Sequence, residues 1–280
     1  MNVRIVVDST ADVSDEIRAK LSVVPLTVHF GEQEYVDGIT INHKQFYEML
    51  VETDVLPTTS QPSPEAFAQV FRQAQEAGEQ VVALTVAAKL SGTCQSAMIA
   101  AADYPGTVWV VDTKTVAIGC GILAELAVRL KEEGLSAPEI AVRLEEEREN
   151  VRVIALLDTL EYLKKGGRIS KTVAFAGGLL SIKPVVTIQD GEISILGKAR
   201  GSKQGNNLLV TEIQKSGGVD FSKPLMLGYT GLSDALLEKY VLDSSALWDG
   251  HGDCIQSTAI CSVIGTHAGP GAIAVAFFKQ

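Results

Sequence analysis

The chain has 280 residues, 46% of them hydrophobic but only 6% aromatic, and a formal net charge of -10. That length allows one large or two modest domains, and the negative balance argues against nucleic acid and anionic lipid, which both need local positive potential. The apolar content is mostly Ala, Val, Leu and Ile, which suits an aliphatic core and would equally suit an aliphatic ligand.

The opening "MNVRIVVDST" carries no cationic segment followed by an apolar stretch, and no apolar run approaches the roughly 20 residues that cross a bilayer. A cytoplasmic protein without stable membrane insertion is the expectation. Cys94, Cys120, Cys254 and Cys261 lack CxxC spacing, as buried thiols in a reducing compartment would.

In chain order, "VRIVVDST" is a β-branched run ending in Asp-Ser, the pattern of a buried parallel strand and its turn. "VPLTVHFGEQEYVDG" reads as an extended segment with a hairpin-like turn, and "INHKQFYEMLVE" is amphipathic. Ser63-Pro64-Glu65 supplies an N-cap, a first-turn proline and a dipole-favoured acid for a helix to Ala77. Strand "QVVALTVA", helix "SGTCQSAMIAAADY", strand "TVWVVDT" and helices "GCGILAELAVRLKEEG" and "APEIAVRLEEEREN" follow. This alternation predicts an N-terminal α/β domain on a parallel sheet.

The second half changes rhythm. "VRVIALLDTLEYLKKGGRIS" reads as a strand into a helix, and "KPVVTIQDGEISILGKARG" as a hairpin turning at Asp190-Gly191. "NNLLVTEIQKSG" and "SDALLEKYVLDSSALW" are helical, whereas "KPLMLGYTG", "DCIQSTAICSVIG" and "GAIAVAFF" read as strands. The expectation is an α/β fold of two domains, residues 1-157 with the parallel sheet and 158-280 as a mixed α+β domain.

Two uncharged hydroxyl clusters stand where strands end. In "TTSQPSPEAF" prolines stiffen a turn bearing Thr59 and Ser60. In "LSGTCQSA", Ser91, Gly92 and Thr93 open a helix whose first N-H groups favour a carboxylate or phosphate. Ser91 has a plainer role as a helix cap. Because ligands of open α/β sheets lie beyond the carboxyl ends of strands, the two turns can face each other. In "VIGTHAGPGA" His267 sits between glycines, where an imidazolium could approach and stabilise an anion.

Other patterns carry less. "GCGILA" matches the Gly-x-Gly-x-x-Ala dinucleotide fingerprint but stands five residues beyond its strand, so small residues packing a helix explain it better. The four histidines lack ligand spacing, and His251 with Cys254 makes half a zinc site, so neither metal nor cofactor is expected. "LKKGGRISK" concentrates Lys164, Lys165, Arg168 and Lys171, either a solvated helix end or a landing patch for an acidic partner, and "GKARGSKQG" offers Arg200 as a further anion ligand.

The ordered set "VVDSTADV", "VPLTVHFGEQEYVDG", "TTSQPSPEAF", "LSGTCQSA", "DTLEYLKKGGRIS", "GKARGSKQG" and "GTHAGPGA" resembles the DegV family, bacterial fatty acid-binding proteins that include the FakB-type subunits of fatty acid kinase. The resemblance implies two domains with a fatty acid tunnel, a head-group site at Thr59, Ser91, Arg200 and His267, and a carrier that presents its long-chain fatty acid to a separate ATP-dependent kinase subunit making the acyl phosphate. Two other readings remain at this point. A hydrolase of esters or acyl phosphates would use Ser91 as nucleophile and His267 as base, and a pure interaction module would need no tunnel.

Overall fold

The computed structural model describes residues 2-53, 55-169, 182-252 and 255-280. The β-branched run at the start forms strand β1 (Asn2–Asp8), which pairs in parallel with β2 (Ser22–Val24) and β6 (Glu79–Thr85). With β7 (Val108–Asp112) they make a parallel sheet of order β2-β1-β6-β7. Helices α3 (Pro64–Glu76) and α4 (Thr93–Ala101) cover one face, burying Phe67, Phe71 and Ala97 against Val6, Val81 and Ala83. Helix α3 starts as its sequence requires: the Ser63 hydroxyl accepts from Ala66 N, and Pro64 occupies the first turn.

The other face is covered by α5 (Ile118–Glu132) and α6 (Ala137–Glu147). Helix α5 is almost wholly buried. The two glycines of "GCGILA" explain how it packs so closely: a Cβ on Gly121 would run into the Asp12 carbonyl oxygen, and one on Gly119 would run into Thr115 and Val153. These are packing glycines inside a helix. Ile118, Ile122 and Leu123 on the same helix have no exposed surface, each contributing about 1.5 to 3 kcal/mol of burial.

A second sheet, of order β10-β9-β8-β13-β11-β12, lies on the far side of α5. It comprises β8 (Val151–Leu156), β9 (Ile182–Gln189), β10 (Glu192–Arg200), β11 (Met226–Tyr229), β12 (Gln256–Ala259) and β13 (Ile273–Phe278). Pairing is antiparallel except between β11 and β12. The β9-β10 hairpin turns at Asp190 and Gly191 with φ of 50° and 77°, the left-handed pair that matches strand twist. Helices α8 (Gly201–Lys215) and α9 (Ala235–Asp243) cover the outer face, around Tyr240 and Trp248.

The architecture is the expected α/β fold with a mixed second sheet, and the expected boundary at 157 falls just past β8, a strand of that second sheet. Strand β8 pairs with β13 and β9, so the chain passes to the second sheet before Val151. The core does not divide there either, since Val3, Ile5 and Leu84 of the first sheet share one cluster with Val153, Met226 and Phe278 of the second.

A third sheet, β4-β3-β5, made of β3 (Thr27–Phe30), β4 (Gln33–Val36) and β5 (Thr58–Ser60), holds the proline-rich elbow. Thr59 lies directly opposite Val28. Helix α2 (His43–Glu52) begins with an Asn42 capping box and packs Phe46 and Tyr47 against α10 (Ser262–Ala268). Among the described residues there are also two short α-helices, α1 (Asp15–Arg18) and α7 (Glu161–Lys165), and two 3-10 turns at Arg148–Asn150 and Ser245–Leu247. The segment read as strand through "ICSVIG" is therefore strand only to Ala259, and His267 belongs to the last turn of a helix. The glycines around it mislead for a packing reason: a Cβ on Gly265 would press on Tyr47 and Phe46, while Gly269, at φ 73°, ends the helix.

Candidate functional site

The inner face of the second sheet carries a row of small residues. Val186, Ala155, Ala274 and Gly228 are successive cross-strand partners on β9, β8, β13 and β11, so they share one face. Ala, Ala and Gly leave a groove where larger residues would fill the layer. A Cβ on Gly228 would come within 2.6 Å of Ile260 and 3.2 Å of Ile118. The groove is the floor of a cavity whose walls run from Ile193 of β10 to Ile260, just past β12. Five interstrand steps make the floor about 24 Å across. Mouth included, the space measures about 960 Å³, and the lining is overwhelmingly aliphatic.

Polar groups gather at one place on this wall. Thr59, Ser91, Arg168 and His267 all line the cavity. Thr59 Oγ1 lies 2.9 Å from His267 Nε2. Ser91 Oγ lies 2.9 Å from Thr93 Oγ1 and accepts from Thr93 N at 3.3 Å. The elbow and the "LSGT" turn meet directly: Gln61 packs on Gly92 so closely that any Cβ there would collide with its amide, and Gln61 Nε2 donates to Ser96 Oγ at 3.1 Å. Gly92, the residue before α4, makes no side-chain cap, so Ser91 supplies the hydroxyl at this helix start.

The remaining expected ligands fall elsewhere. Ser60 alternates to the outer side of β5, where it is exposed and lies 2.6 Å from His29 Nε2. Thr93 is buried behind Ser91, and neither it nor Gly92 reaches the cavity wall. Arg200, expected as an anion ligand, is exposed at the last position of β10, outside the cavity lining. Arg168, which the sequence allows either in the basic patch or bent inward toward a ligand or domain interface, turns inward, its Nε donating to Leu90 O at 3.2 Å and its Nη1 to Gly166 O at 2.7 Å. Lys165 is exposed on α7 and pairs with Glu161 at 2.7 Å, Lys164 is its neighbour there, and Lys171 lies outside the described residues, as does Cys254.

His267 differs in charge from the sequence expectation. Burial, and after it the Arg168 cation, push its pKa down to about 4, so the ring of the ligand-free protein is neutral at pH 7. Its buried Nδ1 has no hydrogen-bond partner among the described residues and abuts Gly166, where any side chain would strike the ring. Since Nε2 faces Thr59 and Ser91 faces Thr93, the serine-base pair needed by a hydrolase is not formed here.

Sequence reasoning missed the group that organises this end. Asp8, fully buried, accepts from Thr10 N and Oγ1 at 2.9 and 2.5 Å and from Val86 N at 2.7 Å. It ties together the turns that leave β1 and β6, and Thr10 and Val86 both line the cavity. The signal was present in "VVDST", a strand ending in Asp followed by hydroxyls, the pattern of an Asx turn. Among the described residues no cluster of three or more His, Cys, Asp or Glu could hold a metal, and no helix is long and apolar enough to cross a membrane.

Arg168 and two hydroxyls beside an aliphatic groove can take an anion on a hydrocarbon tail. A family model described as an uncharacterised protein of the DegV family matches residues 2-280. A DegV domain-containing protein of Deinococcus radiodurans is 36% identical over 282 residues, covering 99% of this chain and 98% of the relative. Among solved structures, a DegV family protein from Thermus thermophilus, described by its fatty acid binding, is 34% identical with a TM-score of 0.89 and full coverage of both chains. The Streptococcus pneumoniae Fatty Acid Kinase (Fak) B3 protein, loaded with linoleic acid, has a TM-score of 0.86 with full coverage of both chains, a likeness in fold at 23% identity.

Proposed function

The chain belongs to the DegV family, and we propose that it binds one long-chain fatty acid with its tail along the β8-β13-β11 groove and its carboxylate among Thr59, Ser91, Arg168 and His267. The observation that carries this reading is that Arg168, the one charged residue among the described lining residues, stands with Thr59, Ser91 and His267 on a mostly aliphatic cavity, whereas the hydroxyls of Thr10, Thr187 and Thr230 are bonded within the fold. Each buried CH₂ is worth about 0.8 kcal/mol, so the tail supplies affinity and the cluster supplies orientation. Delipidated protein should bind hexadecanoic acid far better than its methyl ester, measured by calorimetry. Equal affinities would sink the carboxylate assignment while leaving the cavity in place.

The second part of the proposal is that the loaded protein is a carrier, not itself the catalyst, and presents the carboxylate to a separate ATP-dependent kinase, through the α7 face bearing Lys164 and Lys165. Its support is the fold shared with the Fak B3 protein and the place of α7, whose following residue, Gly166, touches His267. On this reading the kinase docks within one turn of the proposed head site.

A further inference from the structure

Helix α10 has only a thiol, that of Cys261, at its N-cap position, and sulfur is a weak acceptor. Its first amides are nonetheless held. Asp12 Oδ1 accepts from Cys261 N at 2.9 Å, and Asp37 Oδ1 accepts from Ser262 N at 3.2 Å. The preceding carbonyl is gripped as well: His43 Nδ1 lies 3.1 Å from Ile260 O, and its Nε2 lies 2.8 Å from Gly231 O. Three side chains from three separate segments near the start of the chain therefore converge on residues 260-262.

This is a costly way to cap a seven-residue helix. Asp12 and Asp37 are only 6% and 4% exposed, and each has a second carboxyl oxygen with no partner among the described residues. A neutral Asn or Ser would satisfy an amide with less desolvation. What distinguishes α10 is its cargo, because Val263, Ile264 and His267 line the cavity. At 1.5 Å per residue the helix is a rod of about 10 Å, too short to absorb a shift at one end before it reaches the other.

We infer that Asp12, Asp37 and His43 are positioning residues for the head site: they fix the start of α10 so that His267 Nε2 stays within hydrogen-bond distance of Thr59 Oγ1. The inference deepens the carboxylate reading above, but its primary readout needs no ligand. In delipidated full-length protein labelled with ¹⁵N-histidine, the His267 ring should titrate near 4, the value its burial and Arg168 set. In Asp12→Ala and Asp37→Ala the ring should be released, its midpoint rising toward the ordinary 6.5, and hexadecanoate binding should weaken by about tenfold, the scale of one lost hydrogen bond. Asp12→Asn and Asp37→Asn keep an acceptor oxygen and should restore both. Alanine variants that fold, by circular dichroism, yet keep the His267 midpoint near 4 overturn the inference. If they do not fold, His43→Ala carries the test, with a shifted His267 resonance expected and an unchanged one overturning it. A shifted ring with unchanged hexadecanoate affinity would support the clamp while refuting the carboxylate site.

Discussion

His267 shows how one residue's environment sets what it can do. A neutral buried ring next to Arg168 is poised to gain a proton when an anion arrives, because a carboxylate nearby favours the charged form. The linkage has a definite sign. The folded-state pKa lies below the ordinary 6.5, so this group's contribution to stability is present above pH 6.5 and is lost as the pH falls through about 4. Arg168→Met removes one of the two causes of the depression while burial remains. The His267 midpoint, followed by NMR in ligand-free protein, should rise above about 4, and fatty acid affinity should fall by about 1.5 to 3 kcal/mol, the range for a hydrogen bond to a charged group. An unchanged midpoint would mean that burial alone sets it. Which of Arg168 and Arg200 lines the cavity is not legible in sequence, since tertiary contacts decide it: bonds to Leu90 O and Gly166 O hold Arg168 inward, whereas Arg200 ends β10 exposed.

At the scale of elements, legibility followed the range of the interactions. The β9-β10 hairpin and the capped start of α3 are specified by neighbours within a few residues, and the sequence shows them, whereas the close packing of α5 depends on Asp12 and Val153, far along the chain. The place of β8 is not local: Val151 pairs with Phe278 at the other end of the chain, so the strand-helix alternation continues past the true change of sheet. The elbow strand β5 is likewise specified by β3, three residues against three. The groove itself was readable only once register was known, because Ala155, Ala274 and Gly228 are ordinary residues until they line up across strands. Ala155→Leu tests their role. The added side chain should occupy the groove, weakening hexadecanoate binding by at least about tenfold, while the ligand-free protein melts no lower than the parent. Unaltered affinity would move the tail off this row.

For the molecule as a whole, the decisive contrast is a net charge of -10 against a small basic face on α7, adjoining the head site. Lys165 contributes little to stability there, since its pair with Glu161 is an exposed i, i+4 contact. The weakness of that pair leaves its charge available for an encounter. Opposite charges at the rim of an interface act mainly on the association rate and are screened by salt. On the proposed carrier reading, Lys164→Glu and Lys165→Glu should therefore slow acyl-phosphate formation by a separate kinase on the order of tenfold at low ionic strength and by much less at high salt, with fatty acid affinity unchanged. Arg168→Met should behave differently, losing affinity for the acid itself because its guanidinium lines the cavity. Measuring binding and phosphorylation on the same three variants separates a docking face from a ligand wall, and lysine variants that are phosphorylated at the parent rate at low salt would remove α7 from the kinase contact.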